Sequence, residues 1–430
     1  MKSQILRYSL SLLLALSLNA QETYTVDDLI IEALKNSPDL QISSLQYDAS
    51  QERTAVASSG YLPNVNFHAE AGVKGMSEVP TDNIINDTLM LGNLSLKQIL
   101  YDFGKTGGNL DAYKYDSQSY LMANEQYVSN KKRDVKLAYY NILQALALIE
   151  VNKENVKLNE AQLYRSQKYF TAGIRTKIDI SDAKVQLIQS KLDLKKSEYD
   201  LQLAYSALDK VVGFMDNEAQ YSVHSQKLDL THLFTTLPHY SFTLNDSINF
   251  AYENRHELKQ LLAQIKSASA KKELASSEYY PALYFNADYT KQELDKFEST
   301  IPQDQWQASL NIDWNIYEGG ATSANTQEKK ILVDISKSNL QNAKLSIKKE
   351  TTQAFINLYK MKDSVELSQS LLEVSNEKFD QAGKRYENGL SDYIELQQAR
   401  QGYIDAKASL VVSYYNYYGA IAILDNAIGK

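Results

Sequence analysis

Two hydrophobic periods alternate along this chain. From Val65 the apolar residues Val65, Phe67, Ala69, Ala71 and Val73 are separated by Asn66, His68, Glu70 and Gly72. Leu283, Phe285, Ala287 and Tyr289 repeat the pattern, and Trp306, Ala308, Leu310, Ile312, Trp314 and Ile316 give its cleanest form. Alternation over about ten residues predicts a strand with one apolar and one polar face. A less regular strand is expected over 88–103, so the chain offers four strands in two pairs. Elsewhere the period is seven. Val135, Ile142, Ile149, Val156, Leu163 and Phe170 run beside the short residues Ala138, Ala145, Asn152, Asn159, Ser166 and Gly173. After that glycine, Ile180, Leu187, Leu194, Leu201 and Leu208 run beside Ala183, Ser190, Ser197, Ala204 and Val211. A large row beside a small row predicts closely packed coiled-coil neighbours. No proline interrupts Gly108 to Gly173, so at 1.5 Å per residue that helix extends on the order of 100 Å.

The pattern also repeats as a whole. Ala33 to Leu40 returns as Ala251 to Leu258, and Tyr61-Leu62-Pro63 as Tyr279-Tyr280-Pro281, both at an offset of 218. Tyr101-Asp102-Phe103-Gly104 returns as Tyr317-Glu318-Gly319-Gly320, and Gly173 with Ile178-Asp179 as Gly389 with Ile394-Glu395, at an offset of 216. A loop absorbs the slip of two. The expected organisation is a first repeat over 21–213, a linker over 214–243 and a second repeat over 244–430: a tandem duplication.

Composition narrows the class. The 430 residues contain no cysteine, which excludes disulfide frameworks and thiolate chemistry. A net charge of −8 argues against nucleic acid as a partner. Lys2 and Arg7, the apolar core Leu10 to Leu18 and Ala20 have the layout of a secretory signal peptide over 1–20. Its removal takes two positive charges away, from −8 to −10. Beyond it, no apolar run reaches the ~18–20 residues of a spanning helix.

Little here resembles a reaction centre. Gly104-Lys105-Thr106 imitates the end of a phosphate loop, but Ile99 stands where the motif needs glycine. His224, His232 and His239 lie in the linker without metal-ligand spacing, and His68 and His256 have no catalytic partner at motif distance. No enzyme activity, cofactor or metal site is expected. Trp306 and Trp314 are read as an interfacial aromatic girdle against outer-membrane lipid. The polar stretch Gly75 to Asp87, and its partner near Leu294 to Gln303, read as exposed loops.

Strands with one lipid-compatible face in an exported chain imply a barrel, because open sheet edges do not sit in hydrocarbon. Four strands cannot close one, so several chains must contribute, and three copies supply twelve strands. The expected fold class is an α+β membrane protein, a β-barrel shared between chains and continued by a long antiparallel α-helical coiled-coil barrel, which the resemblance that follows makes a trimeric 12-stranded β-barrel. At this point the chain resembles the TolC-like outer-membrane efflux proteins. The residues that carry the resemblance are the duplicated unit, the Tyr-Leu-Pro and Tyr-Tyr-Pro leads, Tyr101 to Gly104, and the segments Gly173 to Asp179 and Gly389 to Glu395. The resemblance implies a homotrimer that docks a periplasmic adaptor (membrane fusion) protein and an inner-membrane pump. It implies an exit duct for efflux or type I secretion, localised to the outer membrane with a large periplasmic portion. It places adaptor-docking tips at Gly173, Ile174, Gly389 and Leu390. It places a periplasmic constriction at Glu395 and Gln398, and closed-state lock positions at Asp179, Tyr386 and Ser391. Gln398 removes one acidic ring and Ser391 replaces a positive charge, with Arg175 or Arg385 as the substitutes available. The competing reading is a periplasmic coiled-coil scaffold or adaptor without a pore.

Overall fold

The structure, a computed structural model, describes residues 23–78, 83–215, 221–225, 228–294 and 304–430. The expected signal peptide and most of the polar stretch after Leu294 lie outside these residues. In chain order the elements are β1 (Thr23–Tyr24), α1 (Val26–Asn36), α2 (Pro38–Ser58), β2 (Asn64–Glu78), β3 (Asn83–Tyr101), α3 (Lys105–Thr171) and α4 (Lys177–Val212). Then come β4 (Ser222–Val223), α5 (Leu244–Asn254), α6 (His256–Ser277), β5 (Ala282–Leu294), β6 (Asp304–Asp313), α7 (Ala321–Glu387) and α8 (Tyr393–Ile428). The second half repeats the element order of the first. Each half holds one helix of 67 residues followed by one of 36.

The chain divides into two compact units. One comprises residues 42–125 and 256–345 and carries an antiparallel sheet in the order β2-β3-β5-β6. Its faces follow the predicted alternation. Asn66, Ser95, Asp288 and Gln307 meet across the strands on one side, and Phe67, Leu94, Tyr289 and Trp306 meet on the other. The apolar side lies open in this chain, with Phe67 74% and Trp306 79% exposed. Beside the sheet, α3 and α6 cross closely. A Cβ at Gly108 would stand 3.1 Å from the Leu274 nitrogen, so only glycine leaves this contact unstrained. Lys271 pairs with Asp116 at 2.9 Å along the same crossing.

The strands depart from expectation at their ends. Pairing continues through the stretch read as a loop, from Lys74 opposite Asp87 to Glu78 opposite Asn83. The glycine, asparagine and aspartate there weaken the alternation, but a hairpin ladder needs only backbone donors and acceptors. In β6 the strand stops at Asp313, so Trp314 and Ile316 follow it rather than belong to it. Trp314 donates its indole N–H to the Tyr279 carbonyl at 3.2 Å. Tyr101-Asp102-Phe103-Gly104 is a strand-to-helix junction. The Asp102 carboxylate accepts from the Gly104 and Thr106 amides at 3.2 and 2.7 Å and from the Thr106 hydroxyl, capping α3.

The other unit comprises residues 1–41, 126–255 and 346–430. Leu29, Val135, Ile142, Leu208 and Val212 close one core cluster, and Val151, Ile404, Val411 and Tyr415 another. In α4 the small row Ala183, Ser190, Ser197 and Ala204 is buried, as expected where backbones approach. The alternation read from the sequence missed a third row. Ile178, Val185, Leu192 and Tyr199, seven apart, are all exposed in the single chain. The linker binds several helices: Tyr139 donates to the His224 carbonyl at 2.7 Å, and Tyr417 to the Pro238 carbonyl at 2.6 Å. Gln369 accepts from the Phe234 amide at 2.9 Å and donates to the Thr231 carbonyl at 3.3 Å.

Candidate functional site

The α3–α4 and α7–α8 turns are built alike, both in the second unit. Helix α3 ends on Gly173 at φ +74°, with the Ile174 amide reaching back to the Tyr169 carbonyl at 2.9 Å. Helix α7 ends on Gly389 at φ +72°, with the Leu390 amide reaching the Arg385 carbonyl at 2.8 Å. Glycine enters the left-handed region without steric cost and closes the last turn of each helix. Both exits then show an aliphatic side chain to water, Ile174 at 66% and Leu390 at 70% exposure. Ile178 and Ile394, further along the same two segments, are also exposed.

The next helices start on polar caps. Thr176 and Asp179 form a reciprocal box, the Thr176 amide donating to Asp179 at 2.9 Å and its hydroxyl at 3.1 Å. The Asp392 carboxylate accepts from the Glu395 amide at 2.9 Å. Asp179 therefore serves its own helix and makes no ion pair among the described residues.

Two arginines stand at these turns. Arg175 stands 4.7 Å above the Tyr386 ring and donates to the Ser391 carbonyl at 3.1 Å, so it ties the first turn to the second. Arg385 pairs with Glu395, Nε to Oε1 at 3.2 Å. Arg165 adds a 2.7 Å pair to Glu387 from α3 to α7. Under this layer lies a small core of Ala183, Ala382, Tyr386, Tyr393, Leu396 and Ala399. Tyr386 is 1% exposed. Among the described residues its hydroxyl makes no well-aligned hydrogen bond, while the Ser166 and Gln162 side chains lie near enough to favour its ionised form. Burial pushes the Tyr386 phenol up, while Arg175 pulls it the other way.

The structure thus brings Arg175, Tyr386 and Ser391 together, with Asp179 close enough to raise the Tyr386 phenol while it caps its own helix. Glu395 is partly covered and paired, whereas Gln398, one turn on, is exposed. Trp306 lies near the start of β6 and Trp314 just past its end. Among the described residues no helix is long and apolar enough to cross a membrane, and no His, Asp and Glu cluster could hold a metal ion.

The family profile described as outer membrane efflux protein matches residues 29–214 and 248–430. The outer membrane protein TolC of Vibrio cholerae is 23% identical over 416 residues, covering 93% of this chain and 89% of that protein. The proteases secretion protein PrtF of Dickeya chrysanthemi is 22% identical over 369 residues, covering 81% and 74%. The solved structure of CusC superposes with a TM-score of 0.83 at 17% identity, over 94% of this chain and 92% of that one.

Proposed function

The chain belongs to the outer membrane efflux protein family, and from that premise we propose that it is the outer-membrane exit duct of a tripartite efflux or type I secretion system. The observation that carries the reading is the two-faced sheet. A four-stranded antiparallel sheet with a bare apolar face and a polar opposite face is unstable alone in water. It also ends in two unpaired edge strands, β2 and β6. Both needs are met when copies pair edge to edge into a closed barrel, apolar side to lipid and polar side to a lumen. Three copies give twelve strands, and the exposed row Ile178, Val185, Leu192 and Tyr199 has the spacing of a further interchain seam.

In this reading the helical portion is periplasmic, and energy comes from an inner-membrane pump through an adaptor that meets Ile174 and Leu390. The matching repeats at 21–213 and 244–430, with 214–243 between them, are read as an ancestral duplication. Arg175 is the lock between the tips, acting on Tyr386 and Ser391, and Glu395 is the acidic residue of the constriction. A periplasmic scaffold has no use for the bare apolar face, which disfavours that alternative. The test is membrane fractionation with gel analysis. An outer-membrane protein running as a heat-modifiable oligomer is expected; a protein soluble without detergent would refute the duct.

A further inference from the structure

The two helix–helix turns share a backbone and an apolar face but not a charge. At the offset of 216, Ile174 answers to Leu390, Ile178 to Ile394, Thr176 to Asp392 and Lys177 to Tyr393. Each turn thus shows water an exposed aliphatic pair. The charges beside the pairs are inverted: the stretch Gly173 to Asp179 is net positive by one, and Gly389 to Glu395 net negative by two. Most charges of the second turn are already satisfied. Lys384 pairs with Asp380 at 2.6 Å, Glu387 with Arg165 at 2.7 Å, and Glu395 with Arg385 at 3.2 Å. Over 168–179 and 384–395, three exposed charges are left without an ion pair among the described residues. They are Lys168 and Lys177 at the first turn and Asp392 at the second. Lys168 lies 5.4 Å from the centre of the Tyr164 ring and meets no carboxylate there, unlike its counterpart Lys384. Local folding accounts for Asp392, which caps α8. It does not account for Lys177, the first residue of α4, where a cation opposes the helix dipole. The residue in the equivalent place, Tyr393, is buried in the small core.

Resting on the duct reading, we propose that the two turns are charge-coded docking sites for the adaptor. The first takes an acidic residue of the adaptor beside an apolar one, and the second takes a basic residue beside an apolar one. The aliphatic pairs give both sites the same apolar footprint, and the sign of the charge decides which part of the adaptor meets which turn. Like charges brought together at a docking contact suppress the wrong pairing. An adaptor that meets both turns therefore carries both signs at its docking end.

The chain has no cysteine, so Ala172→Cys and Asn388→Cys each place one reporter thiol at an exposed, uncharged position of one turn. The probes are two designed helical hairpins, identical but for two glutamates or two lysines flanking a loop leucine. Each carries a loop cysteine activated as a pyridyl disulfide. The reporter thiol displaces pyridine-2-thione and forms a mixed disulfide with the hairpin. Rates are divided by those of a small neutral pyridyl disulfide, which cancels the reactivity of the thiol itself. The acidic hairpin is expected to react about fivefold faster than the basic one at the first turn, and the basic one about fivefold faster at the second. Lys177→Glu should cancel the first preference. Asp392→Asn keeps the cap and should cancel the second. One hairpin favoured at both turns, no preference, or preferences unmoved by these substitutions would overturn the charge code. A heat-modifiable oligomer is checked on every sample. Its presence alongside absent preferences removes the charge code and leaves the duct standing; its absence from the native chain as well would refute both.

Discussion

At the tips, single guanidinium groups organise contacts that the backbone leaves open. Arg175 adds a cation–π contact of about 0.5–2 kcal/mol and a hydrogen bond to Ser391. Arg175→Ala is therefore expected to raise the open probability of the channel in a planar bilayer several-fold. Tyr386→Phe removes only a hydroxyl without a well-aligned partner among the described residues and should change stability by less than ~1 kcal/mol, whereas Tyr386→Ala should cost about 3–5 kcal/mol in thermal unfolding. Arg385 acts as a resident counter-ion on Glu395. Block of single-channel current by multivalent cations should thus be weak in the native protein, stronger in Arg385→Ala and absent in Glu395→Ala. Several tyrosines in the helical unit have phenols raised above the ordinary range. Burial raises the phenols of Tyr415 and Tyr418, and burial with Asp209 raises that of Tyr221. A folded pKa above the unfolded one means stability that is complete below about pH 10 and declines as pH rises beyond it, because only the unfolded chain ionises there. Melting temperatures taken from about pH 8 to about pH 11 should fall, and Tyr415→Phe should flatten the fall with little change at neutral pH.

Elements obey the same logic at larger reach. Helix α4 ends on Gly213 at φ +89°, where a Cβ would stand 2.6 Å from the Asn36 carbonyl oxygen. Gly213→Ala therefore carries a backbone clash as well as left-handed strain, and should lose at least ~2 kcal/mol. At Gly389, with nothing within 4 Å of a Cβ, alanine should cost only about 1 kcal/mol. Thermal melts of the two variants check the difference. Helices and sheet faces were legible because each rests on a period: seven in Val135 to Phe170, two in Trp306 to Ile312. Strand ends were not, since the pairing of Gly75 with Asn86 is a backbone event that side-chain alternation does not record. The exposed row on α4 escaped for a related reason: the row Leu187, Leu194 and Leu201 is equally apolar, and only packing separates a face covered within the chain from one left bare.

For the whole molecule, family membership and the exported, strand-and-long-helix architecture could be read from repeat offsets and junction motifs. The tip chemistry could not. The resemblance marked position 391 as lacking a positive charge, but the place of Arg175 over Tyr386 depends on the turn after Gly173. Likewise the cap that Asp179 makes with its own Thr176 is a local contact that one aligned position does not reveal. What unites the scales is a chain whose apolar sheet face, edge strands and α4 row are incomplete alone. The most direct measurement is single-channel conductance of the purified protein, without residues 1–20, in a planar bilayer, with mass of the detergent complex taken alongside. The account predicts small, stable steps from a particle of three chains; a detergent-independent monomer with no conductance would contradict it.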